Sequence, residues 1–372
     1  MGGLMSKPPS GGALASGLIA AEVAGLVPSA MPVAALGGSG HGLELPMPLL
    51  DSGVFANPAK WGFEDKPFSD LIRWKREGGP PPRPSEQEIR EATGYQQPDL
   101  ARWTEPSAGA LQHTWLGHAS YLAQLGGASF LFDPVFSDRC SPIQLVGPKR
   151  ALPTPATIEQ LPAIDAVFIS HNHYDHLDHN SIQALAARGV GKWFVPAGLG
   201  RWFKSEVSPS IDHADIIELS WWEEARLGEN LRVMYTPAMH WTTRGVMDKN
   251  TSLWGSWAVW EVAPQPEPEP ELDTSLAADV QISAAVESSH PDAGRVGLAL
   301  WFSGDTGYCD AFGTIGAYFK WRFGRELPFS LAIIGIGACE YHIFRPFAAL
   351  LCMCSSSHRM LSRGWQMLRS GS

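Results

Sequence analysis

Regular patterning of apolar and polar positions is confined to the middle of the chain. Gln112 to Leu116 and Ser120 to Leu125 have strand-like composition, and Ser129 to Phe132 follows the Gly126-Gly127 turn, a β-rich opening. Ile164 to Ser170 is a short apolar run of the kind that forms a buried strand. Lys192 to Val195, Leu231 to Thr236, the Trp-rich Leu253 to Val262, Leu298 to Ser303 and Leu331 to Ile336 read the same way. After the first of these buried runs, Asp178 or Asn180 can cap a helix reaching about Arg188, with Gly189 as its stop. Strands alternate with helices only loosely, which predicts a mixed α/β sandwich rather than a doubly wound sheet.

The flanks carry no such pattern. Residues 1–55 are rich in Gly, Ala, Ser and Pro without sustained periodicity and read as mostly disordered. Residues 56–104, with the Pro run from Gly79 to Pro84, form an irregular lead-in in which Glu86 to Thr93 adds a short helix. A single domain is expected over 56–340. It is interrupted at 263–295 by an acidic Pro-rich insert whose Pro/Glu alternation cannot build a ladder. Residues 341–372 form a tail of different character, and no internal repeat is present. The longest apolar stretch, Ala13 to Leu36, is broken by Glu22, Pro28 and Pro32. A bilayer span needs about 20 mostly apolar residues, so any membrane contact is expected to be peripheral. With Lys7 as the sole flanking cation, that stretch is also a poor targeting signal.

Composition narrows the function classes. The formal charge of −10 and the lack of a dense Lys/Arg run give no basis for nucleic-acid binding. Five cysteines, odd in number and without a C-x-x-C pair, argue against a disulfide framework and fit a reducing compartment. The expectation is an intracellular protein, soluble or peripherally membrane-associated.

Chemistry concentrates in His171-Asn172-His173-Tyr174-Asp175-His176, where a strand ends and a helix begins. Residues two apart on an extended segment project to one side, so His171 and His173 can grip one metal ion. Asp175 and His176, further round the turn, can hold a second, and the imidazole and carboxylate donors suit zinc. Such residues between a buried strand and a helix are costly unless used. His240, after Val233 to Pro237, has the character of a third ligand on the first ion. Asp305, after Leu300 to Gly304, has that of a carboxylate bridging both. His41, His113, His179, His213 and His290 have no comparable setting and read as structural or exposed.

These residues stand within a longer set of motifs. They include Thr114-Trp115-Leu116-Gly117-His118-Ala119-Ser120, Asp133-Pro134-Val135-Phe136-Ser137, Gly147-Pro148-Lys149-Arg150 and Ser170 through Asp178. Trp221-Trp222-Glu223-Glu224, Thr236-Pro237 with His240-Trp241, Trp254-Gly255-Ser256-Trp257 and Gly304 through Cys309 continue the set. Over about residues 100–340 the chain resembles the N-acylphosphatidylethanolamine-hydrolysing phospholipase D group of the metallo-β-lactamase superfamily. The resemblance implies a metallo-β-lactamase-type αββα sandwich and two zinc ions. His171, His173 and His240 would bind the first, Asp175 and His176 the second, and Asp305 would bridge them, so that Asp175, His176 and Asp305 are the catalytic candidates. It also implies a phospholipid substrate, cleaved by a metal-bound hydroxide to an N-acylethanolamine and phosphatidic acid, and the capacity to form a homodimer. Gln144 matches a family glutamine near the substrate head group, although Leu145 stands where the family has tyrosine.

The resemblance stops after Gly337-Ala338-Cys339-Glu340. The family continues to a final His-Trp-Gly motif whose histidine completes the second zinc site. Here His342 and His358 are the tail's histidines, and neither follows a recognisable strand. The expectation is therefore a sandwich incomplete at its C-terminal end, binding one or two zincs. Competing readings are a related hydrolase of a small phosphodiester or lactone, and a catalytically dead zinc- or lipid-binding variant.

Overall fold

The computed structural model describes residues 43–63, 73, 76, 84–104, 109–207, 211–245, 247–263 and 294–335, and the backbone of 350–354. The chain enters through a short hairpin, β1 (Leu49–Asp51) and β2 (Val54–Ala56), followed by helices α1 (Glu86–Thr93) and α2 (Ala101–Thr104). The first helix is closed by a capping box in which Ser85 and Glu88 satisfy each other's backbone N–H groups.

Two six-stranded sheets then form the body. The first runs β3 (Gln112–Gly117), β4 (Ser120–Leu125), β5 (Ala128–Phe132), β6 (Ala166–Phe168), β7 (Lys192–Pro196) and β8 (Ile216–Leu219) in sequence order. It is antiparallel through β5 and parallel from there on. The second is built from β9 (Glu224–Leu227), β10 (Leu231–Thr236), β11 (Ser256–Val262), β12 (Val296–Phe302), β13 (Leu331–Gly335) and β14 (Leu350–Cys354). It is antiparallel except for the β12/β13 pair.

The period of two along each strand assigns side chains to layers. In β6, Ala166 and Phe168 enter the core between the sheets, whereas Val167 and Ile169 face outward. The outward set packs under Ile182, Leu185 and Ala186 of α3 (His179–Arg188) and Phe203 of α4 (Gly200–Glu206). On the far side, α5 (Ala311–Phe323) covers the second sheet, with Phe319 and Phe323 each 5.6 Å from the Trp260 ring. The layers are therefore helix, sheet, sheet, helix. This is the αββα sandwich of the metallo-β-lactamase fold.

Aromatic packing fills the space between the sheets. Phe168 stacks between Phe132 and Phe194 at 5.0 and 4.9 Å, and Phe132 stacks on Phe302 of the opposing sheet at 4.8 Å. Trp257 reaches across from β11, and its Nε1 donates to Ile169 O at 3.0 Å. Burial of its ring is thus combined with a satisfied polar tip.

Most expected elements are observed within a residue or two, including Asp178 as N-cap of α3 and Gly189 as its left-handed stop. Three differences have physical causes. The hairpin at 49–56 lies inside the stretch expected to be disordered. It is anchored by buried Phe55 and by Trp222 Nε1 donating to Pro46 O, contacts that local composition cannot show. Helix α5 was not expected because it is apolar around most of its circumference and contains Gly313 and Gly316, which blurs the helical period. The tail, expected to add no strand, contributes β14, whose backbone pairs antiparallel with β13. The expected insert at 263–295 falls almost wholly outside the described residues, as do residues 1–42, His342 and His358.

Replacing Phe168 by Ala should cost about 3–5 kcal/mol, because the stack on both sides cannot collapse into the gap. The expected readout is a lower denaturation midpoint with an unchanged slope.

Candidate metal centre

The sandwich opens at one edge where several strands end together. β6 delivers Ser170 and the His171–His176 turn, β10 leads through Thr236 to His240, and β12 leads to Asp305. β5 ends in Asp133, and the β3–β4 turn carries His118. The two sheets are tied at this edge. Tyr235 Oη donates to Ser170 O at 2.8 Å and Gly255 N–H donates to the same carbonyl at 3.2 Å, while Gly307 N–H joins the loops after β12 and β10 by donating to Met239 O at 2.8 Å. Gly304 permits the close approach. Its φ is +55°, and a Cβ there would lie 2.6 Å from that of Ser170.

His171, His173 and His240 converge. His173 Nδ1 lies 2.9 Å from His171 Nε2 and 3.2 Å from His240 Nε2. An ion with tetrahedral metal–nitrogen bonds of about 2.0–2.1 Å separates its ligand nitrogens by roughly 3.3–3.4 Å, so these donors need move only a few tenths of an ångström to bind one. Beside them, His176 Nε2 lies 3.3 Å from Asp305 Oδ2 and 3.8 Å from Asp175 Oδ2. Asp305 Oδ2 is also 4.0 Å from His240 Nε2, between the two groups. His176 Nε2 is buried and faces these two carboxylates. His171, His173 and His240 make one candidate metal-binding cluster, and His118, Asp175 and His176 make another.

A buried network aims these rings. Asp133 accepts from Ser170 N–H at 2.7 Å, from Ser170 Oγ–H at 2.5 Å and from His176 Nδ1–H at 2.7 Å. Because its proton goes to Asp133, Ser170 Oγ can only accept from His171 Nδ1–H, 2.9 Å away. His171 is thereby held with the proton on Nδ1 and the Nε2 lone pair facing the site, the form that binds metal, and His176, anchored in the same way through Nδ1–H, turns its Nε2 to the site. Burial and the neighbouring imidazoles push His171 well down, and burial with His240 takes His173 to about 3. Burial would also lower His176, but Asp305, Asp175 and Asp133 overcome it and raise this ring well above its ordinary value. Burial would raise Asp175 and Asp305, yet His176 holds both carboxyls well below their usual range. These two carboxylates keep 34% of their side-chain surface open, whereas His176 is fully enclosed. The opening is therefore on the carboxylate side.

Arg244 clamps the turn. Its Nη1 donates to Asn172 O and Leu177 O at 2.8 and 2.7 Å, and its guanidinium lies 4.1 Å over the Tyr174 ring. Asn57, from the lead-in, donates to His240 O at 2.8 Å. A cavity of about 510 Å³ adjoins the turn, lined in part by Pro142, Asn172, Tyr174, Arg201, Trp202 and Arg244. Gln144 belongs to the loop carrying Pro142, but its amide is occupied there, accepting from Arg139 N–H and donating to Arg139 O.

The six side chains expected from sequence to bind metal thus stand at one edge, and the Gln144 amide bonds within its own loop. Sequence reading gave no role to His118, Asp133, Ser170, Arg244 or Asn57. A polar residue directly after an apolar run, as Asp133 is after Phe130-Leu131-Phe132, was the available signal for one of them.

A model described as "Beta-lactamase superfamily domain" matches residues 129–265. The chain is 31% identical over 307 residues to N-acyl-phosphatidylethanolamine-hydrolyzing phospholipase D 1 of Caenorhabditis elegans, covering 80% of this chain and 74% of that one. It is 35% identical over 162 residues to the mitochondrial enzyme of the same description from Saccharomyces cerevisiae, covering 43% of this chain and 33% of that one. An uncharacterized protein of Mycobacterium tuberculosis is 36% identical over 231 residues, which is 62% of this chain and 50% of that one. Among solved structures, Igni18, a metallo hydrolase from Ignicoccus hospitalis, aligns with a TM-score of 0.35 at 16% identity. That alignment covers 55% of this chain and 65% of the other.

Asp133→Asn should weaken metal retention roughly 10–100-fold, read by competition with a chelator, because the rings lose the anion that orients them. The two clusters should also differ in pH response. His171, His173 and His240 are all pushed toward the neutral form. His176 is raised and protonated at pH 6–7, so a metal ion must displace its proton. Affinity at the His176 position should therefore fall about tenfold per unit as pH drops from 7 to 6, with little change at the other. Metal titrations at two pH values would check this.

Proposed function

Because the chain belongs to the N-acylphosphatidylethanolamine-hydrolysing phospholipase D family of the beta-lactamase superfamily, we propose that it is a zinc-dependent phosphodiester hydrolase cleaving N-acylphosphatidylethanolamine to N-acylethanolamine and phosphatidic acid. The observation that carries this reading is the convergence of His171 Nε2, His173 Nδ1 and His240 Nε2 beside Asp175, His176 and Asp305. A metal-dependent hydrolase is what the family and the clusters jointly support. Zinc and the lipid substrate are our extension.

Three histidines, with carboxylates alongside, match the donors zinc prefers. In this assignment His171, His173 and His240 hold one ion, Asp175 and His176 hold part of a second, and Asp305 lies between. Zinc bound there supplies an activated water nucleophile and neutralises charge on the phosphoryl oxygens. The protein's own contribution is orientation. Asp133 and Ser170 orient the His171 and His176 rings, and Arg244 holds the turn against α3, so the donors do not have to reorganise during reaction. Asp175 and Asp305, partly open beside these donors, are placed to orient the attacking water by hydrogen bonding.

Features of the rim favour a lipid. Ile143, Leu145 and Val146 are exposed on the loop that carries Pro142, and Met247 is exposed beside Asp248 on another wall of the same cavity. Tyr308, also exposed, follows Asp305 by three residues. Exposed apolar side chains on segments that border the cavity and the carboxylates fit contact with a membrane surface. No helix among the described residues is long and apolar enough to cross a membrane.

Purified protein loaded with zinc should release N-acylethanolamine and phosphatidic acid from mixed vesicles, and His171→Ala or Asp305→Ala should lower turnover at least 100-fold. Zinc-loaded protein that ignores this lipid but hydrolyses a small phosphodiester or lactone would replace the proposed substrate with a smaller one.

A further inference from the structure

The donors around His176 lie closer to one more side chain than the ligand set above uses. His118 sits at the β3–β4 turn with φ of +48°, left-handed backbone that favours glycine. The fold holds this residue there firmly. Gly117 before it has φ of +101°, and Trp115 Nε1 donates to His118 O at 2.8 Å. Next along, Ser120 Oγ bridges the turn to the site strand, donating to Asp133 O at 2.7 Å and accepting from Val135 N–H at 3.0 Å. A histidine kept in unfavourable backbone, where glycine would serve the turn better, points to a use for its side chain.

That side chain reaches Asp175. His118 Nε2 lies 3.0 Å from Asp175 Oδ2, close to the 2.9 Å between the converging nitrogens of His171 and His173. One donor atom each from His118, Asp175 and His176 lie within 4.8 Å of one another, a spread that an ion with bonds of about 2.0–2.2 Å can nearly span. Independently, His176 Nε2 is buried and faces the Asp305 and Asp175 carboxylates at 3.3 and 3.8 Å, and the His118 ring stands edge-on to the His176 ring at 5.6 Å. Asp133 also lies near His176, but each of its oxygens is already engaged by Ser170 or by the Nδ1 side of the ring. It supports from behind, whereas His118 approaches the carboxylate that faces the opening.

We propose that His118 is a direct ligand of the second metal position, completing a set with Asp175, His176 and Asp305. This rests on the reading of the centre as a metal site, and it gives that position a histidine from the β3–β4 turn. The second ion is then held by three segments far apart in sequence, so its binding reports on the closure of the sandwich edge.

The test uses the full chain, stripped of metal and titrated with Zn²⁺ and, separately, Co²⁺. His118→Gly is the informative variant, because glycine accepts the φ of this position and the turn is preserved. Wild type should take up two ions. His118→Gly should keep one with unchanged affinity and lose at least tenfold in affinity for the other, whereas His173→Ala should lose the ion that His118→Gly retains. With cobalt at saturation, the far-shifted, solvent-exchangeable N–H signals that mark directly bound imidazoles should lose one member in His118→Gly. A ring that only orients Asp175 has no bond to the ion and contributes no such contact-shifted signal, so its removal would leave that set unchanged. Two ions bound by His118→Gly with wild-type affinity, or an undiminished set of shifted protons, would overturn the ligand role while leaving the metal-hydrolase reading intact. A wild-type chain that takes up no metal would overturn both.

Discussion

The centre depends on one buried carboxylate. Asp133 is fully enclosed, and an isolated charge there would be prohibitively costly unless paired. Burial pushes its carboxyl up, and hydrogen bonds from Ser170 and His176, with the His176 charge, oppose that. The same bonds orient the rings of His171 and His176, one through Ser170 and one directly. Stability and function are coupled at this residue. The bonds that make the burial of Asp133 tolerable also turn two imidazole Nε2 atoms toward the site.

The sandwich supplies what the network cannot, namely the meeting of remote segments. Tyr235 Oη and Trp257 Nε1, both from the second sheet, donate to consecutive carbonyls at the end of β6, Ser170 O and Ile169 O. Those bonds fix the height at which β10 and β12 release His240 and Asp305 relative to the His171–His176 turn. The aromatic stack from Phe194 through Phe168 and Phe132 to Phe302 sets the spacing of the sheets behind it. Close-packed interiors do not deform gradually, so a change in that stack would be felt at the candidate metal ligands. Arg244 and Asn57 add restraint from loops, one holding the turn and the other the backbone of His240.

Electrostatics separates the two halves of the centre. Around His171, His173 and His240, burial and mutual repulsion push the rings toward the neutral form. Around His176, three carboxylates keep the ring protonated until a metal ion replaces the proton. Neighbouring donor groups on a single turn thus have opposite proton affinities, set by which side chains the other strands bring to them.

Much of this was written locally. The strands, the cap at Asp178 and the stop at Gly189 follow from short-range pattern, because alternation and capping act over a few residues. The His171–His176 cluster is equally legible, since its donors share one turn. Helix α5 was not, because its apolar residues mark no single face, and neither was the hairpin at 49–56, whose anchors Trp222 and Asn250 lie far along the chain. The sequence by itself determined the fold class and the family, and it named the candidate donor residues. Only the tertiary structure decided that His118 stands 3.0 Å from Asp175, that Asp133 sits behind His176, and that Gln144 is occupied within its own loop. The reason is that such distances depend on strand register and on the packing of one sheet against the other. Both are set by contacts between residues tens of positions apart, and no local pattern encodes them.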